Sequence, residues 1–271
     1  MKIRAGVSTD TGDGRGGCTD AAVLKVASST RYGRIAFAVL CDGDGRGPGA
    51  GKASAIVAER MSDWFQDELP DILQDAELTL MHEDEQTGGA RLLTEVLATD
   101  DIRAAFSSRM FDLAQEKIRV RLLELADELQ TRITGYGRLH RINLRTAMTC
   151  LLMMGSDYLI MRIGPTRSYM TCDEEGHVRM PAGEDEDLIF GGEEGVRPVF
   201  VQGRVESRAG VLLYSDGFIR KQDPDLLKKL FRKYARYSER RIDDTLRRLT
   251  RFVRKRGERE DAFAVFLSCV R

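Results

Sequence analysis

Long apolar runs are missing from this sequence. None approaches the roughly 18 residues that a membrane-spanning helix needs. The longest, around Met148 to Met154, has the length of a core strand. The opening Met1-Lys2-Ile3-Arg4-Ala5-Gly6 lacks the apolar centre of a signal peptide. These two absences predict a cytoplasmic protein with no membrane attachment. Cysteine is sparse and unpatterned: Cys18, Cys41, Cys150, Cys172 and Cys269 are odd in number and contain no CxxC pair. That argues against a disulfide framework and against zinc, and it predicts reduced thiols. Charge of one sign is missing too, because 42 Lys and Arg face 43 Asp and Glu for a net charge of -1. A near-neutral chain is not a general nucleic-acid binder. Histidine is scarce, and His82, His140 and His177 all lie outside any motif.

What is present is an apolar strand with an acid at one end, three times over. Gly33-Arg34-Ile35-Ala36-Phe37-Ala38-Val39-Leu40 reads as a strand buried on both faces. It runs into Cys41-Asp42-Gly43-Asp44-Gly45-Arg46-Gly47, a stretch bare enough for an ion or a phosphate to approach. Gly210-Val211-Leu212-Leu213-Tyr214 runs into Ser215-Asp216-Gly217, and Asp261 opens the apolar run Ala262 to Leu267. Carboxylates that converge from three strand ends repel one another unless a cation sits among them. The pattern therefore predicts that Asp42, Asp216 and Asp261 hold divalent metal.

In chain order, residues 1 to 27 read as a β-hairpin, Ile3 to Ser8 with Asp20 to Ala27, around a glycine-rich loop carrying Arg15. An arginine there can grip an anion through two parallel hydrogen bonds, although a solvated surface arginine is the commoner outcome. Lys52 to Leu69 reads as a helix, with the lone Trp64 on its core face and a break at Pro70. Residues 82 to 90 read as a polar loop. Met110 to Gln130 is the clearest helix, with Ile118, Leu122, Leu125 and Leu129 on one stripe. Arg145 to Met154, Asp157 to Ile163 and Arg167 to Thr171 read as a consecutive antiparallel meander. Residues 173 to 194 form an acidic, glycine-rich loop, and Val196 to Ser207 reads as another strand. Leu226 to Arg256 is helical and basic, with Asp243 and Asp244 read as the cap of a second helix. Its basic face reads as solvated, partly neutralised by the acidic loop; a nucleic-acid or acidic-partner surface is the alternative. Helices come in groups instead of alternating with strands. This predicts an α+β fold of mainly antiparallel sheets flanked by helices. Without an internal repeat or a linker-like composition shift, residues 1–271 are expected to form a single domain.

These residues, taken together, resemble the metal-dependent Ser/Thr protein phosphatases of type 2C in their compact bacterial form. The likeness rests on Arg15 followed by Cys18-Thr19-Asp20, on Asp42-Gly43-Asp44-Gly45 with Ala53-Ser54 after it, on Gly164-Pro165-Thr166-Arg167, on Ser215-Asp216-Gly217 and on Asp261-Ala262. It implies a four-layer α-β-β-α sandwich and two Mn2+ or Mg2+ ions, which favour oxygen ligands. It also implies residue roles. Asp42 would bridge both ions and the Gly43 carbonyl would bind one of them. Asp216 and Asp261 would bind the other. Asp20 would orient metal-bound water, and Arg15 would clamp the substrate phosphate. The implied reaction is hydrolysis of phosphoserine and phosphothreonine in phosphorylated proteins, with a Ser/Thr kinase as natural counterpart. Neither nucleic acid nor membrane is an expected partner.

The chain departs from the pattern at definite places. Thr19 stands where the family has an acidic residue, Pro165 where it has an aspartate, and Ala262 where it has an asparagine. Asp44 takes a usually apolar position, and Leu144-Arg145-Thr146-Ala147 replaces the usual Gly-Thr-Thr and small residue. These substitutions raise an alternative: a catalytically weak or inactive pseudophosphatase that binds phosphoproteins or a partner.

Overall fold

The computed structural model describes residues 2–12, 18–29, 33–44, 49, 51–86, 100–164, 169–172, 178–179, 188–205, 209–223, 225–227, 229, 233 and 237–270. Its spine is β3 (Gly33–Asp44). In a strand, successive side chains point to opposite faces. Ala36, Ala38 and Leu40 therefore enter one core and Phe37, Val39 and Cys41 another. A strand apolar on both faces must be covered on both, and this one is.

Two five-stranded sheets result. One has the order β2 (Ala21–Ser29), β3, β4 (Arg145–Met154), β5 (Asp157–Ile163) and β8 (Val199–Arg204). The other has the order β1 (Lys2–Ser8), β10 (Ala264–Val270), β9 (Gly210–Tyr214), β6 (Tyr169–Cys172) and β7 (Val178–Arg179). Every described pairing is antiparallel. Leu151, Met153 and Ile160 of the first sheet meet Val211, Leu213, Val265 and Leu267 of the second in a shared apolar layer.

The outer face of the first sheet carries α1 (Lys52–Asp63), α2 (Leu69–Gln86) and α3 (Asp100–His140). The outer face of the second carries the short α4 (Asp216–Ile219) and α5 (Glu239–Lys255). In α5, Ile242, Leu246, Leu249 and Val253 recur at helical spacing and pack on Leu212, Ala264 and Phe266, which leaves the arginines outside. Gly257, with φ 84°, ends the helix in the left-handed conformation that glycine adopts without strain. Helices therefore lie outside two stacked antiparallel sheets, the α-β-β-α arrangement expected. Among the described residues no helix is long and apolar enough to cross a membrane.

Several local expectations need correcting. The first two strands do not pair as a hairpin: β1 pairs with β10 and β2 with β3, in different sheets. The meander stops after β5, because β6 crosses to the other sheet and pairs with β9. Pro70 breaks nothing. A π-helical turn, Trp64–Glu68, precedes it, and the Leu69 N–H reaches back to the Trp64 carbonyl. Proline near the start of α2 gives up an N–H whose i−4 bond this wider turn has already shifted. Consecutive Trp64 and Phe65 both reach Phe37, with ring centroids 5.4 and 5.3 Å away. Helix α2 runs on to Gln86 through much of the expected loop, whose remainder lies outside the described residues. Ser238, not Asp243 or Asp244, caps α5 by accepting from the Arg241 N–H at 3.4 Å. Asp243 instead ties α5 to β1 by accepting from the Val7 N–H at 2.9 Å.

Candidate functional site

Strand register brings the acidic residues to one end of both sheets. Ala21 lies opposite Cys41, so Asp20, just before β2, comes beside Asp42. Tyr214 lies opposite Ala264, so Asp216, which opens α4, comes near Asp261, which precedes β10. Ser8 lies opposite Ala264 as well, which adds Asp10 to the same end. Asp42 does not sit on a bend. It lies within the paired part of β3, opposite Ala147, and the ladder continues through Gly43 and Asp44.

The backbone around Asp42 is tightly held. Thr146, fully buried, donates its hydroxyl to the Asp42 carbonyl at 3.0 Å, and the Ser54 hydroxyl lies 2.9 Å from that of Thr146. A Cβ on Gly43 would fall 2.2 Å from the Thr19 carbonyl oxygen, so only glycine allows the two segments to touch. On the other sheet, Ser215 makes a double tie to Phe263: its N–H donates to the Phe263 carbonyl at 2.9 Å, and its hydroxyl accepts from the Phe263 N–H at 3.0 Å. A Cβ on Gly217 would fall 2.1 Å from the Asp261 carbonyl oxygen.

The four carboxylates form a chain of repulsion. Burial, and then the charge of Asp216, push the Asp42 carboxyl up to about 6. Burial, and then the charges of Asp42 and Asp261, push Asp20 up to about 9. The Asp216 amide donates to the Asp42 carboxylate, as does the carboxyl of Asp20. The Asp216 side chain itself is largely exposed and lies 3.5 Å from Arg220. Asp261 behaves differently. Burial pushes its carboxyl up, but the N–H groups of Gly12, Thr19 and Asp20 and the Thr19 hydroxyl outweigh burial and hold it below the usual range.

The donor set can be tested against a divalent cation. Asp42 and Asp216 fit one. Both are acidic, they interact electrostatically, and the neighbouring Gly43 offers a carbonyl of the hard-oxygen type that Mg2+ and Mn2+ accept. Asp20 adds a carboxyl against Asp42. Asp261 differs in that its Oδ2 already accepts from three chain donors, which leaves Oδ1, with the Gly12 N–H alone, as its freer oxygen. Among the described residues no group of three or more His, Cys, Asp or Glu is arranged to hold an ion. Arg15, Pro165 to Arg167 and most of the acidic loop lie outside the described residues.

For some site residues the sequence gave the motif but not the contact. Thr146 and Ser54, both in motif positions, support Asp42 from a strand and a helix far apart in the chain. Gly12 and Thr19 support Asp261, and Arg254 donates to the Asp10 carboxylate at 2.8 Å. Thr19 was visible only as a departure from a pattern.

No protein family and no curated protein matches the sequence. Solved structures do match in shape. A variant of a bacterial serine phosphatase superposes with a TM-score of 0.67 at 15% identity, covering 98% of each chain. The catalytic domain of the serine/threonine phosphatase PstP, solved with two manganese ions, superposes with a TM-score of 0.63 at 14% identity, covering 99% of each chain. A serine/threonine phosphatase from Staphylococcus aureus gives a TM-score of 0.63 at 14% identity, covering 98% of this chain and 95% of its own. Nearly every residue of the chain takes part in these superpositions, and the chain has the fold of the bacterial serine/threonine phosphatases, the type 2C group that its motifs resemble.

Proposed function

We propose that this chain is a metal-dependent protein serine/threonine phosphatase that hydrolyses phosphoserine and phosphothreonine. The observation that carries the reading is the line of carboxylates Asp216, Asp42, Asp20 and Asp261 across one end of the two sheets, two of them pushed toward the protonated form by burial and by their neighbours. Such crowding is relieved by a cation. The reading assigns Asp42, the Gly43 carbonyl and Asp216 to hold Mn2+ or Mg2+. When bound, such a cation supplies charge neutralisation for a phosphate dianion and lowers the pKa of an attacking water. Two ions are the expectation from the resemblance, and the PstP domain carries two manganese ions. Asp20 orients the water and holds a proton beside Asp42. Arg15, from the sequence, grips two phosphate oxygens. Phosphorylated proteins are the substrates, a Ser/Thr kinase makes them, and the cytoplasm is where the two meet.

A second reading has two observations in its favour. Thr19 replaces a carboxylate, and Oδ2 of Asp261 is occupied by chain donors. A fold with an incomplete ion set binds phosphoproteins or a partner without turnover. Manganese-dependent hydrolysis of p-nitrophenyl phosphate decides between the two. The phosphatase reading expects turnover that Asp42→Ala and Asp216→Ala abolish. Clean protein that binds Mn2+ but turns over neither this substrate nor a phosphothreonine peptide establishes the second reading.

A further inference from the structure

Helix α3 ends on a left-handed cap with an arginine in it. The Ile142 N–H donates to the Gly137 carbonyl at 3.0 Å and the Arg141 N–H to the Arg138 carbonyl at 3.4 Å, which satisfies two of the last carbonyls of the helix. Such a cap needs one left-handed residue just past the helix. Glycine is the usual choice, because it has no Cβ to crowd the following carbonyl. Here the residue is Arg141, with φ 55°, the one non-glycine residue with positive φ among the described residues. It is also exposed, so no packing requires it. A strained conformation that glycine would relieve points to a use for the side chain.

The cap lies at the carboxylate end of the molecule. Arg141 stands five residues before Thr146, whose hydroxyl donates to the Asp42 carbonyl. Lys52, which opens α1, lies two residues before Ser54, whose hydroxyl reaches that of Thr146. The Lys52 ammonium sits 5.8 Å from the centre of the Tyr136 ring, near the end of α3. Lys52, Arg138 and Arg141 are therefore exposed cations at one end of the fold. Among the described residues none of the three pairs with an acid. Arg60 and Arg121, further along the same two helices, do pair, with Glu68 and Glu128. Leu139, between the two arginines of the cap, is 78% exposed.

We infer that Arg141, with Lys52 and Arg138 at the same end, is a docking point for an acidic side chain of the substrate polypeptide. The substrate part of this inference rests on the proposed function. Five residues of extended chain span at most about 18 Å. A substrate whose phosphorylated residue reaches the Asp42 end therefore brings an acid to Arg141 from within about five residues of that residue. A polypeptide suits this surface better than a nucleic acid does. The cations are few, they flank an exposed leucine, and the chain as a whole carries a net charge of -1.

The test uses two phosphothreonine peptides. One has glutamates flanking the phosphothreonine on both sides, and the other has glutamines in their place. Both are given to the wild type, to Arg141→Gly and to Arg141→Asn, asparagine being the other residue that tolerates this conformation. Steady-state kinetics with Mn2+ give KM and kcat, and fluorescence anisotropy gives affinity without turnover. The wild type is expected to show a KM about fivefold lower for the glutamate peptide, the size of one or two exposed ion pairs, with kcat alike for both. Both variants are expected to lose that difference, and Arg141→Gly to melt no lower than the wild type, since glycine is the residue the cap prefers. A wild type that turns over both peptides with one KM overturns the inference and leaves the phosphatase reading standing. A preference kept by both variants does the same. If the wild type turns over neither peptide, the phosphatase reading fails and anisotropy decides the docking point. Tighter binding of the glutamate peptide by the wild type than by the variants upholds it, and equal binding overturns it.

Discussion

Gly43 shows how a single residue sets the site. With the Thr19 carbonyl oxygen 2.2 Å from where its Cβ would be and the Ser54 hydroxyl 3.0 Å away, the contact is between main chain and main chain and has little slack. Gly43→Ala is expected to cost about 1–3 kcal/mol, as overpacking of a closed contact does, and to lower the melting temperature. It should also reduce Mn2+ affinity, because it parts β3 from the segment that carries Asp20. An alanine variant with unchanged melting and unchanged affinity would show that the two segments do not meet. Glycine after Asp42 was legible as a bare stretch of chain. What it touches was not, because Thr19 lies 24 residues earlier and a contact between two strands of one sheet leaves no local pattern. Thr146 stood at a motif position, but its role was illegible for a related reason: a buried threonine in an apolar strand looks like core until its hydroxyl is found on the Asp42 carbonyl.

At the scale of the element, β3 decides how the layers stack. Its alternation puts Phe37 under the helices, where its ring meets Trp64 at 5.4 Å and Phe65 at 5.3 Å. Phe37→Ala removes the base of that cluster and is expected to destabilise by about 3–5 kcal/mol, read as a shift of the denaturation midpoint. A loss below about 1 kcal/mol would mean that the cluster is not packed as described. Strands β4 and β5 were legible to the residue, because a run apolar on both faces has few other homes. The expected first hairpin failed because adjacency in sequence suggests pairing, whereas here the segment after β1 crosses from one sheet to the other. The Pro70 break failed because a proline early in a helix lacks only a bond that the π-helical turn has already displaced.

At the scale of the whole molecule, the two sheets are joined at one end by groups that repel each other. Asp20 and Asp42 titrate above the ordinary carboxylate range when folded, to about 9 and about 6. A raised carboxyl binds protons in the folded state that the unfolded chain has already released. Its contribution is therefore favourable at low pH and declines as pH rises from the unfolded value through the folded one. Asp261, held low, has the opposite sign: its contribution is present at neutral pH and is lost on acidification. The metal-free protein is expected to lose several degrees of melting temperature between about pH 5.5 and about pH 8.5, one pKa unit being worth about 1.4 kcal/mol. Added Mn2+ should stabilise it more at the higher pH, where these acids are free to ionise. A metal-free melting temperature that stays flat or rises over that range would remove the repulsion from the account. That acids would gather at this end was legible in the Asp-Gly pattern after two strands and in Asp261 before a third. That Asp261 would turn to backbone donors was not, since its partners are main-chain groups that carry no residue signature.

The most direct test is a calorimetric titration of Mn2+ into the wild type and into Asp42→Asn at neutral pH. The account predicts saturable binding by the wild type, weakened at least about tenfold (~1.4 kcal/mol) in the variant. Absence of binding by the wild type, or equal binding by both, would contradict it.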